Sequence, residues 1–166
     1  MKKNIIAALL VFGAAVNLAA GENIPRPEYP RPQFERQNWV NLNGEWTYRL
    51  DLNHVGLEKG YSESKGFDGT ILVPFSPESE LSGVGYTDFI TGIWYHRTLD
   101  VPAAWEGQRI FLNFGAVYYQ SEVFIDGKFV GRHFGGSSSF SFDITDFAAP
   151  GTSHDLVVYA QSDLRS

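Results

Sequence analysis

Short runs rich in β-branched and aromatic residues succeed one another along this chain, each bounded by turn formers, and that succession constrains the fold more than any other feature. They cover residues 46–50, 70–73, 93–100, 109–114, 122–125, 129–134, 140–144 and 156–160. Within one of them Ile110, Leu112 and Phe114 alternate on a single face. Asp126-Gly127 separates two others, and this dipeptide supplies the positive φ angles of a type I′ hairpin turn. Beyond the N-terminal segment no helix-length window repeats apolar residues at i, i+3, i+4 and i+7, and glycines interrupt the pattern. The chain therefore reads as all-β. One sheet alone would leave an apolar face wet, so the strands imply two packed sheets, a β-sandwich of the jelly-roll kind.

Residues 1–20 do not belong to that pattern. Lys2 and Lys3 precede an apolar stretch from Ile5 to Val16, and small residues follow at Ala19, Ala20 and Gly21. This is the layout of a secretion signal, too short for a membrane span, which needs about 18 apolar residues or more. It places the mature chain in the periplasm or outside the cell. Roughly 145 residues then remain, enough for one domain but far short of the about 250 of a (β/α)8 barrel. Residues 21–41 carry Pro25, Pro27, Pro30 and Pro32 and read as an extended arm; residues 42–166 hold the jelly roll. Residues 51–69 show no period and read as a long surface loop.

The absence of cysteine excludes disulfides, thiolate zinc sites, a thiol nucleophile and a lipidated N-terminal cysteine. Stability must come from the core, for which an aromatic content of 15% is ample. Removing Lys2 and Lys3 shifts the net charge from −6 to −8, and no basic stripe survives to meet nucleic acid or an anionic membrane. Neutral ligands fit better.

Residues able to carry chemistry are few. The histidines at 54, 96, 133 and 154 lack the spacing of metal ligands; of the two inside strand runs, His96 and His133, one is expected at the surface and the other packed or hydrogen-bonded. Gly135-Gly136-Ser137-Ser138-Ser139 lacks the closing glycine and helix of a nucleophile elbow, and Gly83-Val84-Gly85 lacks the third glycine of a phosphate cradle. No cofactor is implied. Glu78 and Glu80 would share a face about 6.6 Å apart in an extended segment, a spacing compatible with a glycosidase pair, but beside Pro77 they read as solvated loop acids. Trp94-Tyr95 and Tyr118-Tyr119 are adjacent aromatic pairs, and strand alternation leaves only one member of each free to stack on a sugar ring.

Several segments in order resemble the N-terminal sugar-binding domain of family 2 glycoside hydrolases, the group of β-galactosidases, β-glucuronidases and β-mannosidases. They are Pro30-Arg31-Pro32-Gln33, Asn41-Leu42-Asn43-Gly44-Glu45-Trp46, residues 71–79, Gly92-Ile93-Trp94-Tyr95-His96-Arg97, residues 112–117, 123–136 and 140–145. The resemblance spans about Tyr29 to Asp163. It implies a jelly roll attached to a retaining β-glycosidase whose two glutamates lie on a downstream barrel, with a place in a homo-oligomer. It also implies that Asp163, at the exit of the last strand, binds glycone hydroxyls. The chain departs from the family pattern at His96-Arg97, where two arginines are common, and at Tyr118, where an acid is common. The expected function is thus a sugar-binding, scaffolding domain that does not itself cleave glycosides. The alternatives are a free-standing carbohydrate-binding module using Trp94 or Tyr119, and a structural surface sandwich.

Overall fold

A computed structural model describes residues 24–29 and 36–162. Every run expected to be a strand is one: β1 (Gly44–Leu50), β2 (Gly69–Val73), β3 (Gly92–Asp100), β4 (Phe111–Phe114), β5 (Gln120–Ile125), β6 (Lys128–Phe134), β7 (Phe140–Asp143) and β8 (Ser153–Gln161). Six of them form one antiparallel sheet in the order β2-β1-β3-β8-β5-β6, and β4 pairs with β7 in a second, two-stranded layer. The last strand, β8, lies in the middle of the large sheet, between β3 and β5. Asp126 and Gly127 have φ of 49° and 76°, so both central residues of the β5–β6 hairpin are left-handed, as a type I′ turn requires. Strand register shifts by one residue after Val123, which bulges β6 beside the turn.

Alternation along the strands separates two apolar faces. One face presents Trp46, Ile71, Leu99, Val123, Ile125, Leu156 and Val158 to Ile110, Leu112 and Ile144 of the small layer. Each such side chain, once buried, contributes about 1.5–3 kcal/mol. The opposite face carries Trp94, Phe124, Val157 and Tyr159, covered by Tyr61 and Phe67.

Those two covering residues come from the connection 51–68, so this segment is not the plain surface loop its composition suggests. It is a flap closed over the sheet. Its root, Asp51, is only 4% exposed. The Asp51 carboxylate accepts bonds from Trp94 Nε1 (2.8 Å) and from the backbone N–H groups of Val55 (2.9 Å) and Gly56 (2.8 Å). Single aromatic anchors set among polar residues leave no periodic trace, which is why the pattern hides the flap.

The connection 74–91 crosses the inner face instead. Val84 packs on the main core, and Tyr86 and Ile90 pack beside Ile93 and Ala160. A single 3-10 turn, Glu80–Ser82, is capped by the Ser79 side chain, which accepts from Leu81 N–H. Ahead of β1, the side-chain amides of Asn41 and Asn43 donate to the carbonyls of Arg26 (3.0 Å) and Pro25 (3.1 Å), docking part of the arm. Among the described residues, no helix is long and apolar enough to cross a membrane.

Candidate functional site

Where β8 leaves the large sheet, four segments are sewn into one rim. Ser162 N–H donates to the Thr91 carbonyl (3.0 Å), and its hydroxyl donates to the Ile90 carbonyl. Tyr119 N–H donates to Gln161 O (3.0 Å), and Gly135 N–H donates to Tyr119 O (2.8 Å). Three of these four bonds run backbone to backbone and so hold the rim without depending on side-chain rotamers. An open cleft of about 400 Å³ adjoins the rim at Ile90 and Ser162. That is within the range of about 300–1,000 Å³ found for small-ligand sites.

Glu78, Thr87, Asp88, Phe89, Tyr118 and Ser162 line the cleft, with Ile90 among them as its buried apolar member. Phe89 and Tyr118 are 57% and 61% exposed, unusual for rings of their size. Tyr118 reaches its position over Gly136, where an added Cβ would come within 2.3 Å of the ring, so only glycine allows that approach. The Glu78 carboxylate also acts inward: burial, with Glu78 and then Tyr48 adding to it, pushes the Tyr95 phenol up and keeps it neutral.

The site thus pairs apolar ring faces with carboxylate acceptors and a hydroxyl donor in Thr87. A pyranose ring offers the complements, C–H faces for the rings and hydroxyls for the carboxylates. Asp163 lies outside the described residues; the last described residue, Ser162, is its immediate neighbour in the chain and belongs to the rim.

The other residues singled out from sequence are placed elsewhere. Glu78 and Glu80 do not share an extended face, because the chain turns at Ser79 into the 3-10 turn, and only Glu78 lines the cleft. Trp94 is fully buried, stacked on Tyr159 at 4.5 Å, and cannot serve as a sugar platform. Its neighbour Tyr95 packs against the inner core. Both are covered because both faces of the sheet are covered. Neither strand histidine stands free: His96 is 6% exposed and bonds Asp155 (2.8 Å), and His133 stacks on Phe140 at 3.9 Å. Among the described residues, no group of three or more His, Cys, Asp or Glu is placed to hold a metal ion. Sequence reasoning passed over Asp88 and Phe89; a large aromatic among polar residues, just before a strand, was the available signal.

Residues 86–163 match the sequence profile of the sugar binding domain of glycosyl hydrolases family 2. A β-glucuronidase of Paenibacillus borealis is 29% identical over 131 residues, which is 78% of this chain and 22% of that protein. A β-galactosidase of Thermoanaerobacter pseudethanolicus is 33% identical over 118 residues, 71% of this chain and 16% of its own length. The solved structure of a Lactobacillus rhamnosus β-glucuronidase is similar over 74% of this chain and 21% of its own, with TM-score 0.66 and 29% identity. The chain spans about a fifth of the length of these relatives.

Proposed function

We propose, from the premise that this chain carries the N-terminal sugar-binding domain of the family 2 glycoside hydrolases, that it forms one wall of a sugar pocket in an enzyme hydrolysing β-linked glycosides. The observation carrying this reading is the cleft at the exit of β8, where ring faces and carboxylates converge on the residue preceding Asp163. The rim holds that exit in place, and Asp163 supplies a carboxylate to substrate hydroxyls. General acid and nucleophile come from a separate catalytic domain, since retaining hydrolysis needs two carboxyl groups about 5–5.5 Å apart on the same sugar. The apolar N-terminal segment directs export to the periplasm or beyond, and the whole enzyme is a homo-oligomer.

Expression of the gene with its coding sequence read past Ser166, followed by assay on chromogenic β-glycosides, tests the activity. Hydrolysis is the expected result, and an uninterrupted product inactive on every β-glycoside refutes it. In the active enzyme Asp163→Ala should lower kcat/KM by an amount equivalent to about 1.5–3 kcal/mol, the worth of a charged hydrogen bond. A loss under about 1 kcal/mol removes Asp163 from the pocket. Cell fractionation checks export.

A further inference from the structure

We infer that His154 is a proton-operated latch: with a hydrogen on each ring nitrogen it ties the β5–β6 hairpin to the turn that leads into β8, and on losing one it lets that joint loosen. The latch lies at the opposite end of β8 from the cleft and does not depend on the sugar-pocket wall.

The partners around the ring decide where its hydrogens are. Thr152 Oγ1 stands 2.6 Å from the Ala149 carbonyl oxygen, which has no hydrogen to give, so the hydroxyl donates there. Its oxygen can then only accept from His154 Nε2, 2.7 Å away. That nitrogen also faces the Ala149 carbonyl at 3.3 Å, a second pure acceptor. On the other side Nδ1 lies 2.7 Å from Asp126 Oδ2, and an ionised carboxylate only accepts. Burial works against the Asp126 charge, but bonds from His154 and the Asp155 N–H, with the charges of His154 and Lys128, outweigh it and hold the carboxyl below its ordinary 3.8. Both nitrogens therefore donate, and the ring is an imidazolium. Thr152, His154 and Asp126 are spaced like a nucleophile, a base and its orienting acid, yet such a ring has no lone pair for the Thr152 proton; the line holds and does not react. Asp126 passes the hold onward, its Oδ1 accepting from Asp155 N–H (2.8 Å) and its own N–H donating to the Asp155 carbonyl (3.0 Å). From β3 the ring's register partner is Leu99, and the turn offers Ala149 and Thr152, so the facing ionisable group is Asp126, with Lys128 acting on it. The His154 side chain is only 10% exposed, which leaves little water to replace a lost partner.

A latch that needs the second proton contributes stability at low pH and loses it as pH rises. Urea unfolding of the full chain from about pH 5 to about pH 8, the span in which histidine gives up its charge, reads this out. Across that span the native protein should lose about tenfold in its folding equilibrium constant, or about 1.4 kcal/mol, relative to His154→Gln. His54, His96 and His133 are present in both proteins and cancel. Asp126→Asn suits the same left-handed turn but removes the charge, and Thr152→Val removes the acceptor at Nε2; each should abolish part of the difference. Nitrogen-15 NMR of the ring gives a second readout that needs no His154 variant: His154 should keep both N–H groups to higher pH in the native chain than in Asp126→Asn. Parallel pH dependence of native protein and His154→Gln overturns the latch, as does a His154 ring that loses its second proton at the same pH in the native chain and in Asp126→Asn.

Discussion

The connections 51–68 and 74–91 are similar in length and equally poor in periodic pattern, yet they hold the large sheet in opposite ways. The first puts its charge inside: Asp51 is buried, bonded to Trp94 and to two backbone N–H groups, and the flap it roots seals Trp94 and Tyr159 from water. The second buries no charge: it buries Ile90 and Ser82, whose hydroxyl donates to the Ser79 carbonyl, packs Val84 on the main core, and leaves the acids Glu78 and Asp88 at the exposed cleft. A polar group satisfied within the fold is committed to stability, whereas one left facing solvent keeps its hydrogen-bonding capacity for a ligand. The same division separates scaffold from site in this domain.

The sharpest way to break the contrast is Trp94→Ala. It removes a fully buried indole, its stack on Tyr159 and its bond to Asp51, and should cost about 3–5 kcal/mol in urea unfolding. Asp51→Asn comes next, because one amide oxygen cannot serve three donors; a loss of about 1–3 kcal/mol is expected. Burial disfavours the Asp51 charge, but the Trp94, Val55 and Gly56 bonds and the nearby His54 outweigh it and lower the pKa below the ordinary 3.8. A carboxyl depressed in the folded state contributes its stability in full above the unfolded value and loses it as pH falls toward the folded one. Native protein should therefore lose stability more steeply than Asp51→Asn below about pH 4. A parallel pH dependence would show that the carboxylate does not root the flap.

At the other connection the effects shrink. Phe89→Ala, in a ring already more than half exposed, should cost under about 1 kcal/mol, and Glu78→Gln with Asp88→Asn should stay within about 0.5 kcal/mol of native stability. Stability losses comparable to that of Asp51→Asn would place the cleft residues in the scaffold and erase the distinction.

The strands were legible from sequence because each is short, β-branched or aromatic, and bounded by turn formers, and Asp126-Gly127 announced its hairpin through the left-handed angles it alone makes easy. Strand order was not legible, since a run such as 153–161 carries no mark of its neighbours. Trp94 illustrates the limit: alternation assigns it a face, but whether that face is wet depends on Tyr61 and Phe67, distant residues in an unpatterned segment. The cleft was half legible for the same reason. Glu78 reads from sequence as a solvated loop acid, and of the pair Tyr118-Tyr119 the exposed ring in the cleft is Tyr118 rather than the Tyr119 that the sequence suggested, while Asp88 and Phe89 acquire meaning only when 74–91 is folded back beside Ser162.

The central position of β8 governs how the domain comes into being. Until residues 153–161 emerge from the ribosome, β1–β3 and β5–β6 are two unjoined half-sheets with bare edges, so folding during synthesis cannot finish before the eighth strand arrives. A stop codon placed before Ser153 would leave fragments prone to clump rather than a smaller working domain.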